Sequence, residues 1–153
     1  KRKELGHWEG DAIVSGMFNN APKSTASLIS IVERKSRYCI VVKVKDKKAE
    51  TVFWLENGRR IQSLELNGMT VRSMELPEEC FIVLNCKTYF CDPYCAWQKG
   101  TNENTNGLLR EFYPKGSDLS LACENQLKEI QELMNNRPRK CINYKTPKEV
   151  LFE

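Results

Sequence analysis

The run W-Q-K-G-T-N-E-N-T-N-G at 97–107 sets one acid, Glu103, among Asn102, Asn104 and Asn106, where a glycine turn hands over to a helix. Far upstream, G-H-W-E-G-D at 6–11 places Asp11 just before the apolar run Ala12, Ile13, Val14. One acid on a strand and another in the first turn of a helix form the beginnings of a divalent-metal site. Hard cations take carboxylate oxygens, and the neighbouring asparagines are neutral and do not compete for the metal.

The elements that must carry these acids follow from periodicity. Apolar runs at 9–14 and 27–32 and the stretch 38–44 read as a three-stranded antiparallel meander. In the third strand Tyr38, Ile40, Val42 and Val44 share one face at period two. Residues 47–55 carry Ala49, Val52, Phe53 and Leu55 at helical spacing, and Asn57-Gly58 stops them. Strands are expected at 61–66 and 88–91, the latter ending at Asp92-Pro93. A helix from 100 to 112 presents Leu108, Leu109 and Phe112. The next presents Cys123, Leu127, Ile130, Leu133 and Met134 and ends before Pro138. Thr146-Pro147-Lys148-Glu149 is a capping box with proline at the first helical position, so a short helix follows. The order predicts an α/β (α+β mixed sheet) architecture of ribonuclease H-like plan, a five-stranded mixed sheet flanked by helices.

Composition sets the outer bounds. A chain of 153 residues, 41% hydrophobic and 29% charged, is long enough for one domain with a proper core. No apolar run can span a bilayer and no signal-peptide core follows Lys1-Arg2-Lys3, which predicts a soluble cytoplasmic protein without a membrane partner. The chain opens on Lys1 shortly before a strand-like motif, so a fragment of a longer protein is expected. The seven cysteines contain no C-x-x-C pair and His7 is the only histidine, which argues for reduced thiols over a disulfide framework or a zinc site. The net charge of +4 is modest, but basic residues cluster at 34–37, 43–48 and 137–140, as expected of a surface that meets a polyanion.

Six blocks in order carry a resemblance: G-H-W-E-G-D at 6–11, V-E-R-K-S-R-Y at 32–38, D-P-Y-C-A-W-Q-K-G-T-N-E-N-T-N-G-L-L-R at 92–110, Y-P-K-G at 113–116, N-N-R-P-R-K at 135–140 and Y-K-T-P-K-E-V at 144–150. Together they resemble the catalytic core of DDE transposases of the insertion-sequence-thirty family, relatives of the retroviral integrases. The resemblance implies two Asp and one Glu holding Mg2+ or Mn2+ for cleavage and strand transfer at DNA ends. Two such cations about 4 Å apart can activate the attacking oxygen and stabilise the leaving one. Asp11 matches the first acid and Glu103 the last.

The middle acid is the departure. The family ends its fourth strand in Asp-Asn-Gly, and here Leu66 precedes Asn67-Gly68. Glu65 stands next to it in the opposite strand phase, and Asp92 is a weak substitute. A leucine supplies no ligand, so polynucleotidyl transfer in this copy is expected to fail or become very slow. The alternative reading is a decayed or domesticated DNA-binding or assembly module that keeps the fold. The expected partner is DNA, both element ends and target, handled by a homo-oligomer at the bacterial nucleoid, with no small-molecule substrate. Lys35 and Arg37 in a hairpin, Trp97, Lys99, Asn102, Asn104, Asn106 and Arg110 around the last acid, and Arg137, Arg139 and Lys140 are the expected DNA contacts. The family's N-terminal helix-turn-helix region is not in this sequence.

Overall fold

The computed structural model describes residues 4–17, 24–44, 63–67, 87–91 and 96–153, with backbone alone for 63–67, 87–91 and 96–97. The helix expected at 47–55 and the candidate acid Asp92 lie outside the described residues. Strands β1 (His7–Val14), β2 (Ser27–Glu33), β3 (Cys39–Val44), β4 (Ser63–Asn67) and β5 (Lys87–Cys91) are ordered β3-β2-β1-β4-β5 in one sheet. The first three form the antiparallel meander, and β4 and β5 add in parallel. Three α-helices follow: α1 (Gly100–Phe112), α2 (Glu124–Asn135) and α3 (Pro147–Phe152).

The V-E-R-K-S-R-Y block is the β2–β3 turn. Glu33, fully buried, accepts the Lys35 and Ser36 amides at 3.0 and 2.6 Å, the Ser36 hydroxyl at 2.7 Å and the Gly6 amide at 3.2 Å. One carboxylate thus satisfies donors that a tight turn would leave bare. Arg37 closes the turn at φ 68, a left-handed conformation that costs a non-glycine residue about 1 kcal/mol or more.

The core lies between the meander and the two long helices. Leu28 and Val32 of β2 and Cys39 and Val41 of β3 meet Leu109 of α1 and Leu127, Ile130 and Met134 of α2. Two expectations need correction. Cys39 and Val41 are buried, while Tyr38, Ile40 and Val42 are only partly so, so the cysteine phase faces inward over most of β3; of the expected face, Val44 alone is buried, at the strand's end. Phe112 and Leu133 are 41% and 55% exposed, because each falls at the edge of a helix stripe whose centre is Leu109 or Ile130. Burial pushes the Cys39 thiol up to about 12, which keeps it protonated and inert at neutral pH.

β3 ends the sheet, and an edge strand leaves backbone groups open to unwanted pairing. Here α2 closes that edge with side-chain amides. Asn135, fully buried, accepts the Cys39 amide at 2.9 Å and donates to the Cys39 carbonyl at 2.8 Å, and Gln131 accepts the Val41 amide at 2.9 Å. The Y-P-K-G block is a crossing point. Gly116 adopts φ +98, and a Cβ on Gly16 would lie 2.2 Å from the Gly116 Cα, so two backbones touch where a side chain cannot fit. The capping box expected at Thr146 and Glu149 opens α3 with both reciprocal bonds in place. None of the described helices is long and apolar enough to cross a membrane.

Asn135→Ala leaves the Cys39 amide and carbonyl buried without their partner and should cost about 2–3 kcal/mol, read as a lower urea midpoint at unchanged slope.

Candidate active site and nucleic-acid interface

Asp11 and the 97–107 block, far apart in sequence, meet because α1 is bolted across β1 and β2. The bolt is Asn102, fully buried in the first turn of α1. Its backbone amide donates to Glu9 Oε2 at 2.8 Å, and its side-chain amide donates to the Glu9 and Ser30 carbonyls at 2.9 and 3.1 Å. Ser30 Oγ lies 2.9 Å from Asn102 Oδ1 and 2.6 Å from Asn106 Oδ1, within donating reach of both side-chain carbonyls. Glu9, itself fully buried, is ion-paired to Arg34 Nε at 3.0 Å. Asn102 therefore does not line an approach to DNA, because its hydrogen-bonding groups are spent inside the protein.

Asp11 sits two residues beyond Glu9 on the same strand phase, opposite Ser30. Lys99, at the end of the 3-10 turn Ala96–Lys99, reaches it from one side with Nζ 3.2 Å from Oδ1 and 3.4 Å from the Gly10 carbonyl. Asn106 reaches it from the other, Nδ2 donating to Oδ2 at 3.3 Å. Lys99 is only 4% exposed, so its ammonium is committed to this carboxylate and does not act as a free phosphate contact. Glu103 lies one turn before Asn106, which brings it to the same flank of α1, and it is exposed.

The described donors do not fit the two-metal site that the resemblance implies. Asp11 already faces an ammonium, Glu103 stands in solvent, and position 66 carries no ligand atom. Among the described residues no three His, Cys, Asp or Glu side chains gather to hold a metal ion. The backbone pairs Leu66 with Gly10 and Glu65 with Glu9, so by register Glu65, and not Leu66, shares the strand phase of Asp11.

The remaining expected contacts divide. Arg37, Asn104 and Arg139 line one cavity of about 370 Å3 together with Thr101, Thr105 and Cys141. Lys35 lines an adjoining groove that also includes Arg37 and Cys141. Arg137 and Lys140 are exposed. Arg110 is at the far end of α1, where its guanidinium donates to the Tyr113 and Pro114 carbonyls, each at 3.4 Å, away from Glu103. For Trp97 only the backbone, within the 3-10 turn, is described. Sequence reasoning missed Glu9, Ser30 and Arg34. A glutamate in the middle of an apolar strand, two residues from Asp11, was the signal that one of them is buried and partnered.

A buried ammonium that loses its counter-charge is costly, and Asp11 is partly exposed, so Asp11→Ala should destabilise the fold by about 2 kcal/mol. The double variant D11A/K99M should regain most of that loss in the same thermal or urea unfolding assay.

No family model matches the chain. It is 39% identical over 155 residues to the transposase InsI for insertion sequence element IS30A of Escherichia coli (strain K12), covering 98% of this chain and 39% of that protein. It is 39% identical over 154 residues to the transposase for insertion sequence element IS1086 of Cupriavidus metallidurans, covering 97% of this chain and 43% of the relative. The chain thus spans about two fifths of the length of these relatives. In fold it is similar to the catalytic core domain of BIV integrase, with a TM-score of 0.66 at 17% identity over 96% of this chain and 93% of that one. It is similar also to a chain of the simian T-cell lymphotropic virus intasome in complex with the PP2A regulatory subunit B56 gamma, with a TM-score of 0.71 at 19% identity over 96% of this chain and 54% of that one. A ribonuclease H-like α/β fold bearing the G-H-W-E-G-D and W-Q-K-G-T-N-E-N-T-N-G blocks accounts for both kinds of likeness, and over nearly its whole length the chain is similar to one part of the IS30-family transposases.

Proposed function

We propose that this segment is the DNA-handling core domain of a longer IS30-family transposase, framed by its five-stranded sheet, and that its phosphodiester chemistry is disabled as it stands. In this reading Asp11 and Glu103 occupy the places of the first and last acids, and Leu66, ahead of Asn67-Gly68, stands at the second by its place in the motif, although the register gives Glu65 the strand phase of Asp11. The observation that carries it is the convergence of Asp11, Lys99 and Asn106: two motifs distant in sequence share one polar cluster at the sheet, where relatives in this family would need their acids. A core that had drifted free of DNA work would have no reason to keep this cluster around a partly exposed carboxylate.

The DNA contacts in this reading are Lys35, Arg37, Asn104, Asn106, Arg137, Arg139 and Lys140, and Trp97 is assigned to the active-site loop. They bind backbone phosphates in a homo-oligomer at the nucleoid, with steep salt dependence and little sequence preference. The alternative, an assembly module without chemistry, is favoured over a working enzyme by one specific pairing, the ion pair of Lys99 with Asp11. That ammonium neutralises the carboxylate a metal ion would need.

Calorimetric titration with Mg2+ or Mn2+ tests the assignment at position 66. The native chain should show no specific binding, and Leu66→Asp should introduce a saturable site that Glu103→Gln removes. Native binding that disappears in Glu65→Gln would transfer the middle role to Glu65, whose place opposite Glu9 shares the strand phase of Asp11. Binding by the native chain that survives Glu65→Gln and vanishes in Asp92→Asn would assign it to Asp92.

A further inference from the structure

The two flanks of α1 do different work. Successive helical residues turn by about 100°, so Asn102, Glu103 and Asn106 share one flank while Thr101, Asn104 and Thr105 share the other. The first flank holds the Asp11 cluster. The second opens on the cavity of about 370 Å3 that Arg37 and Arg139 also line. Among the described residues no carboxylate lines it. Arg37 Nη1 donates to Thr101 Oγ1 at 2.8 Å and Arg139 Nη2 to the Met134 carbonyl at 3.3 Å, which fixes both guanidinium groups. Their Nε atoms are buried and have no hydrogen-bond partner among the described residues. Burial, with the charges of Arg137 and Arg37 adding to it, holds the Arg139 guanidinium below its ordinary range.

Two immobilised cations without an acid between them repel one another, and a buried donor without an acceptor costs about 1–3 kcal/mol. Folding tolerates such an arrangement where a ligand supplies the missing acceptors. An oxyanion with several equivalent oxygens satisfies guanidinium forks and hydroxyls together, and phosphate is the anion whose geometry suits that fork. The cavity also continues. Arg37 and Cys141 belong equally to the neighbouring groove, which adds Lys35 and also Lys145, the latter ion-paired with Glu153 in the same groove. A groove that leads out of the pocket past Lys35 suits one phosphate of a chain better than a free ion.

We propose that the Arg37–Arg139 cavity is a seat for a single backbone phosphodiester of DNA, on the flank of α1 opposite the Asp11 cluster, with the adjoining groove carrying the strand onward. It rests on the reading of the chain as a DNA-handling core. The seat anchors the strand on the other flank of α1 from the Asp11 cluster, so it works independently of whether those acids bind metal.

The test uses the whole chain and a short duplex of arbitrary sequence, titrated by fluorescence anisotropy at several salt concentrations. Asn104 is exposed and lines the cavity, so Asn104→Asp places a carboxylate there that competes with a phosphate for both guanidinium groups while keeping both arginines in the chain. Asn104→Asp and Arg139→Gln should each weaken binding by about tenfold and lower the salt slope by about one, while Lys128→Gln on the exposed side of α2 changes neither. Circular dichroism identifies any variant that has unfolded, and Asn104→Asp then decides alone. If the native chain binds DNA and Asn104→Asp binds it equally well, the seat is wrong and the DNA reading stands. If the native chain binds no DNA, both fall. If inorganic phosphate binds and Asn104→Asp abolishes that while leaving duplex affinity intact, the cavity takes a free anion and the proposal is overturned.

Discussion

The position of α1 depends on one buried side chain. Asn102 ties the first turn of that helix to β1 through Glu9 and to β2 through Ser30, and every residue of functional interest takes its place from this seat. An asparagine can do this because its amide both donates and accepts while carrying no charge into the interior. Aspartate would meet the Glu9 and Ser30 carbonyls with like polarity, and leucine would leave both carbonyls bare. With α1 fixed, Lys99 and Asn106 arrive on either side of Asp11, and Glu103 follows on the same flank.

The same seat explains why two carboxylates on one strand have separate fates. Glu9 is fully buried and held by the Asn102 amide and Arg34, so it is part of the frame. Asp11, two residues on, keeps 27% of its side chain exposed and is touched by Lys99 and Asn106. Strand alternation puts both on the helix side, and depth beneath α1 then separates structural acid from candidate functional acid.

Much of this was legible in the sequence. Glycine at 100, the stripe through Leu109, the reciprocal Thr146–Glu149 cap and the meander all follow from local periodicity and capping rules, which depend on near neighbours. What stayed hidden depends on distant pairing. The block at 97–107 carries three asparagines of identical type, and nothing local separates Asn102, which is buried, from Asn104, which lines a cationic cavity, or Asn106, which faces Asp11. The three differ by their angle around α1, and that angle has meaning only once β1 and β2 are placed. Lys99 illustrates the same limit, since a lysine in a basic DNA-binding motif reads as a phosphate contact until its ammonium is found buried against a carboxylate. In β3 the apolar residues alternate too weakly to choose a phase, and the amides of α2 decide it by closing the strand's outer edge at Cys39 and Val41.

The charge arrangement also bears on what the loss of a middle acid does to such a site. In a set of three carboxylates, mutual repulsion at close range is large, of order 4 kcal/mol per pair at 4 Å in a partly screened site, and cations are needed to hold the set together. On the proposed reading, leucine at position 66 removes a share of that repulsion, and a single ammonium then suffices to balance Asp11. The ion pair with Lys99 is thus a stable resting arrangement for a site with one carboxylate fewer. The cationic cavity on the opposite flank of α1 is untouched by this exchange. On the proposed reading, a loss of chemistry at β4 would leave the proposed DNA-holding surface in place, because α1 separates the two and the Asn102 seat supports both.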